Sequence, residues 1–123
     1  ADWNDTAMFE SGRSLTVEID YIAHKPIARP VFGYSLKTAN GMYLYGTNTQ
    51  LAGREVAGLG VGEGTFRFRL DPLTLREGNY FLSLSCHSWD HETQYHRRED
   101  WYPFGVRNRD DAPGMVTLPT VWS

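Results

Sequence analysis

Apolar and polar residues alternate in several short runs of the chain, with the two-residue period of strands rather than the 3.6-residue period of helices. From Arg13 to Tyr21, Leu15, Val17, Ile19 and Tyr21 fall on one side and Thr16, Glu18 and Asp20 on the other, which predicts a half-buried strand. Pro26 and Pro30 then break the ladder. In the run VFGYSLK, Phe32, Tyr34 and Leu36 are expected to face inward and Gly33, Ser35 and Lys37 outward. Asn40-Gly41 suits the positive φ of a tight primed turn and predicts a hairpin onto the next strand, 42–47. In the stretch YLYGTNT this pattern puts Tyr43, Tyr45 and Thr47 on one face and Leu44 and Gly46 on the other.

Alternation returns at 65–70, with Phe66, Phe68 and Leu70 inward and Arg67 and Arg69 outward. It returns again at 79–86, with Tyr80, Leu82, Leu84 and Cys86 inward and Phe81, Ser83, Ser85 and His87 outward. Tyr102, Phe104 and Val106 form the inward set of a strand over 101–107, and the turn cluster 110–114 precedes a last short strand, Met115 to Trp122. Residues 50–62 lack a period and read as a connection, while the polar stretch 88–100 reads as a long exposed loop. The run L-T-L-R-E-G-N-Y, ending at Tyr80, resembles a tyrosine corner, in which the hydroxyl ties down a crossover between sheets.

About seven short strands with turn signals between them predict an all-β, Ig-like antiparallel β-sandwich. One sheet is expected to hold 31–38, 42–47, 79–87 and 101–107; the other holds 13–24, 63–71 and 115–121. A chain of 123 residues fits one domain, 1–123, with a real core.

Charge and cysteine content narrow the function. A formal charge of −3 with mixed signs gives no basic field and argues against a nucleic-acid partner. The single cysteine, Cys86, allows no internal disulfide and points to a reducing compartment. There is no apolar run of membrane-spanning length and no export signal, and the start without methionine leads us to expect a domain cut from a longer polypeptide.

The glycines at 58, 60, 62 and 64 lead into a strand rather than from a strand into a helix, so they lack the context of a phosphate loop. His87, His91 and His96 are candidates for a metal-dependent enzyme, yet His91-Glu92 lacks the second histidine of an H-E-x-x-H motif. No nucleophile elbow exists, and Glu18 and Asp20 are expected to pair with Arg67 and Arg69 across strands as surface ion pairs. We therefore expect no enzyme, no cofactor and no metal. The remaining signal is an outward set: Tyr43, Tyr45, Phe81, Ser83, Ser85, His87, Trp89 and Trp101. Flat rings beside hydroxyl and imidazole groups suit a sugar, whose C–H faces stack and whose hydroxyls hydrogen-bond. The alternative is a protein–protein module whose rings are covered by a partner.

The runs FESGRSLTVEIDYIAHKPIARPVFGYSLKTANGMYLYGTNT, GEGTFRFRLDPLTLREGNYFLSLS, DWYPFGV and PGMVTLPTVW together resemble the C-terminal domain of Wzt, the ATPase subunit of ABC exporters of O-antigen polysaccharide. The resemblance implies a non-catalytic carbohydrate-binding module that recognises the O-polysaccharide, often by its modified non-reducing end, and couples chain termination to export. It also implies a homodimer made by exchange of the C-terminal strand, partnership with an ATPase domain and a membrane subunit, and a place on the cytoplasmic side of the inner membrane. It locates binding on the outer surface of one sheet.

Overall fold

The computed structural model describes residues 7–122, and for 97–101 the backbone alone. Seven strands are present: β1 (Ala7–Glu10), β2 (Leu15–Ala23), β3 (Pro30–Thr38), β4 (Tyr43–Asn48), β5 (Gly62–Leu70), β6 (Gly78–Ser88) and β7 (Gln94–Arg107). No helix occurs among the described residues. A five-stranded sheet runs in the order β1-β7-β6-β3-β4, and β2 and β5 form a two-stranded sheet. The smaller sheet packs on the inner face of the larger one, as a sandwich requires.

Alternation explains the packing. Phe32 of β3 stacks on Phe66 of β5 at 4.0 Å between ring centroids, and Tyr34 stacks on Phe68 at 4.7 Å. Each such pair contributes about 0.5–1.5 kcal/mol beyond the area it buries. Leu15, Leu36, Leu82, Leu84, Phe104 and Val106 complete a buried core around Tyr80. The predicted tyrosine corner forms: the Tyr80 hydroxyl donates to the Arg76 carbonyl at 2.5 Å. Burial holds the Tyr80 phenol above its usual pKa. Arg76 is itself buried and pairs with Asp110.

The pattern missed four features. β1 lies parallel to β7, Ala7 opposite Phe104; four residues without alternation, paired far along the chain, leave no local signal. β7 begins at Gln94, so most of the stretch expected to be an exposed loop is strand; its polar side chains hide the period. Opposite Ser83 its register shifts, passing from Tyr102 to Arg98. Met115 to Trp122 joins neither sheet. It makes one bridge, Leu75 to Val116, beyond which Leu118, Val121 and Trp122 stand in solvent. Across β2 and β5, Glu18 does pair with Arg67 at 2.9 Å, but Asp20 accepts from the Thr65 hydroxyl and Arg69 pairs with Asp71.

The hairpin between β3 and β4 forms by a different turn from the one expected. Thr38 N bonds Met42 O and Gly41 N bonds Thr38 O, both at 2.9 Å, and Gly41 takes φ 94° while Asn40 stays negative. The loop therefore has three residues, a type I turn closed by a left-handed glycine. Below it a bulge leaves Leu44 unpaired, because Lys37 lies opposite Tyr43 while Leu36 lies opposite Tyr45.

Candidate functional site

That one extra residue decides which tyrosine faces outward. Tyr43 shares the outer face with Lys37; Tyr45 shares the inner face with Leu36 and stands 6.2 Å from Tyr34. The expectation that Tyr43, Tyr45 and Thr47 point the same way is corrected, since a bulge inverts the parity of everything beyond it. Tyr45 lines a separate apolar hollow with Leu44 and Leu70.

The outer face of β6, β3 and β4 carries a groove of about 580 Å³. Ligand sites span roughly 300–1,000 Å³, so one or a few sugar rings fit. Its floor is made by small residues. Ser35, Ser83 and Ser85 sit side by side on β3 and β6, and Gly33 lies so close to the Ser85 hydroxyl that an added Cβ would stand 2.9 Å from it. At Gly46 an added Cβ would overlap the Tyr43 hydroxyl, so the missing side chain lets the Tyr43 ring lie flat along β4. Small outward residues at alternate positions, Gly33 and Ser35 on β3 and Ser83 and Ser85 on β6, were the available signal for a groove.

Two turns wall the end of the groove remote from the β3–β4 hairpin, where β4 ends and β6 turns into β7. After Gly46-Thr47, the Asn48 side chain accepts from Leu51 N at 2.7 Å, and Thr49 exchanges hydrogen bonds with Phe32, through its amide at 2.9 Å and its hydroxyl at 3.2 Å. These bonds satisfy backbone groups where the strand ends. In the 88–93 turn, Ser88 Oγ donates to Asp90 at 2.6 Å and accepts from Thr93 N at 3.0 Å. The Ser88 hydroxyl and the Glu92 amide, with the neighbouring His91 a smaller influence, hold the Asp90 carboxyl below its usual pKa. His87 and His91 bring their rings to 4.5 Å.

The outward set is thus partly assembled. Tyr43, Ser83, Ser85 and His87 line the groove, with Ser83 buried in its floor. Ser35 and Lys37, which the alternation turned outward, line it too, as do Asn48, Leu51, His91 and Gln94, which sequence reasoning did not place on this face. Phe81 is half-buried beside the groove, opposite Lys37 and Pro103. Trp89 is not among the groove's lining residues and is engaged by Arg29, whose guanidinium sits 4.1 Å over its ring while pairing with Glu55 at 3.0 Å. The side chain of Trp101 lies outside the described residues.

For chemistry the groove offers hydroxyl, amide, ammonium and imidazole groups and no carboxylate among its lining residues. A carboxylate pair for acid–base work is not assembled there. His96 pairs opposite Cys86, on the other face from His87, and no three His, Cys, Asp or Glu side chains converge among the described residues. Burial pushes the Cys86 thiol up to about 11, which keeps it protonated at neutral pH.

Residues 1–118 match the family described as the Wzt C-terminal domain. The chain belongs to that family. The crystal structure of the C-terminal domain of Wzt superposes with a TM-score of 0.82 at 23% identity, covering 96% of this chain and 72% of that one. That likeness shows the fold, a β-sandwich. No curated protein matches the sequence. Family membership supports a carbohydrate-binding role in O-antigen export in the broad sense, by a domain type without catalytic activity of its own. No helix among the described residues is long and apolar enough to cross a membrane.

Proposed function

We propose that the groove over β6, β3 and β4 binds the O-antigen polysaccharide at its non-reducing end, without catalysis, and couples completion of the chain to ABC-transporter export. The observation that carries this is the groove itself: a floor of serines and a glycine in a space of about 580 Å³, with Tyr43 towards one end and His87 towards the other. Stacking on the ring and hydrogen bonds to sugar hydroxyls are the interactions such a lining provides. The domain acts as part of a longer Wzt ATPase subunit, on the cytoplasmic side of the inner membrane, with the membrane subunit as its neighbour.

Titration calorimetry of the domain with the O-polysaccharide of its source strain tests the assignment. Saturable binding is expected, with at least a tenfold loss when Tyr43, Ser85 and His87 are all replaced by alanine. Unchanged affinity in that triple variant would remove the groove from the mechanism.

We also propose a homodimer with exchanged C-terminal segments. Leu118, Val121 and Trp122 are 76, 96 and 91% exposed, an apolar row that a partner's sheet could cover. A dimer mass in solution that reverts to monomer when residues 115–122 are removed is the expected result.

A further inference from the structure

Where β6 ends, the 88–93 turn sets two imidazoles side by side. His87 on β6 and His91 in the turn bring their rings to 4.5 Å at an angle of 33°, and both line the outer-face groove. Each ring is tied by one nitrogen to a carbonyl oxygen. His87 Nδ1 lies 2.7 Å from the Ser88 carbonyl, which can only accept, so Nδ1 carries the proton and Nε2 keeps its lone pair in the neutral ring. His91 is tied from another element: Gln50, in the turn that follows β4, reaches it across β3. Gln50 Nε2 donates to the Trp89 carbonyl at 3.1 Å, and Gln50 Oε1 lies 2.6 Å from His91 Nε2. With the amide nitrogen committed, Oε1 accepts, His91 Nε2 carries the proton, and His91 Nδ1 keeps the lone pair.

Histidines that hold a metal ion show this arrangement: the second ring nitrogen donates to an oxygen that fixes the tautomer and the orientation of the ring. The turn is braced for it. Ser88 N bonds Thr93 O at 2.8 Å, Asp90 accepts from Ser88 Oγ and from Glu92 N, and His91 takes the left-handed backbone, φ 65°, that few non-glycine residues adopt. A third donor stands beside the pair, since Gln94 lies opposite His87 on β7 and lines the same groove. The local charge suits a cation. The Asp90 carboxylate adjoins His91, Arg29 is neutralised by Glu55 at 3.0 Å, and Lys37 is opposite Phe81, six residues or roughly 20 Å along β6 from His87. His96 plays no part, because it lies opposite Cys86 on the other face.

We infer that His87 Nε2 and His91 Nδ1, with the Gln94 amide oxygen and water completing the shell, bind a divalent transition-metal ion of the zinc class. Zinc, nickel and copper(II) favour imidazole nitrogen, whereas magnesium and calcium take oxygen ligands. Zn–N bonds of about 2.0–2.1 Å put two imidazoles on one tetrahedral ion about 5 Å apart between ring centres, close to the separation found here. The His87-x-x-x-His91 spacing carries no helical motif; the turn brings together two rings that the sequence pattern does not. With fewer than four protein side chains as ligands, the site fills and empties with the metal supply rather than holding a structural ion. The site stands whether or not the groove binds a glycan.

Zinc titrated calorimetrically into the untagged, chelator-stripped protein tests the site, with magnesium as the control ion. One zinc ion per chain is expected and no magnesium, and the melting temperature should rise with zinc concentration, as binding to the folded state requires. His87→Ala and His91→Gly should each weaken zinc at least tenfold. Glycine accepts the left-handed backbone, so the second change removes the ring without loss of melting temperature in the absence of metal. Gln50 is a positioning residue: Gln50→Ala leaves both imidazoles in place and unties His91, and losing such a partner costs about 10–100-fold in metal affinity. His24→Ala and His96→Ala should bind as the native protein does. A native protein that binds no zinc would overturn the inference, as would zinc binding that is unchanged in His87→Ala and His91→Gly or lost in His96→Ala.

Discussion

On the inner face of the five-stranded sheet, Tyr34 and Tyr80 are enclosed by the core, and burial raises both phenol pKa values. On the outer face Tyr43 is 60% exposed and lies along a glycine. The same residue type meets opposite demands. Inside, a hydroxyl must find a partner, and Tyr80 finds the Arg76 carbonyl. Outside, water satisfies the hydroxyl and the ring is left for a ligand. The difference teaches that packing fixes the inner face, whereas the outer face is shaped by what is missing: bulk at Gly33, Ser35, Gly46, Ser83 and Ser85.

The comparison breaks first if an inner residue proves dispensable. Leu82→Ala removes a buried side chain of the core, and large-to-small changes of this kind cost about 2–5 kcal/mol. Denaturant unfolding should show that loss, with glycan affinity unchanged in the fraction that remains folded. Tyr80→Phe keeps the ring and removes the hydrogen bond, leaving the Arg76 carbonyl without that donor; a loss of about 1–2 kcal/mol is expected by the same measurement.

Acid sharpens the corner further. The hydrogen bond from the buried Arg76 guanidinium, with help from the Ala112 amide, depresses the Asp110 carboxyl. A depressed folded-state pKa adds stability that is present above the unfolded value of about 3.9 and is lost as pH falls through the folded value. Melting temperature should therefore drop below about pH 4, and Asp110→Asn should flatten that dependence. An identical acid profile in the variant would remove this pair from the account. Smallest of all in stability is Gly46→Ala. The new methyl displaces the exposed Tyr43 ring, so the melting temperature should move little while glycan affinity falls severalfold. A stable, fully binding variant would show that the flat ring is unnecessary.

Much of this organisation was legible in the alternation. The inward sets of β2, β3, β5 and β6 could be read directly, because one buried face imposes a strict period of two. The tyrosine corner was legible because its residues are neighbours in sequence. Parity failed at Leu44, where a bulge adds one residue and moves Tyr45 inward, and no local composition marks that bulge. β7 was hidden by its polar residues, and β1 by its short length and distant partner. Among the lining residues His87, Ser83 and Ser85 followed from the strand, but His91 did not, nor did Gln50, whose side-chain oxygen lies 2.6 Å from His91 Nε2. Their placement depends on two turns meeting across β3, a relation between segments 41 residues apart that periodicity does not encode.

The central claim, that the outer face of β6, β3 and β4 holds the glycan, is tested most directly by amide chemical shifts of the labelled domain titrated with the O-polysaccharide. Shifts clustered at Ser35, Tyr43, Gly46, Ser85, His87 and His91, with the amides of β2 and β5 unmoved, are the predicted result. Shifts confined to the C-terminal segment 115–122 or to β2 and β5, with the groove silent, would contradict it.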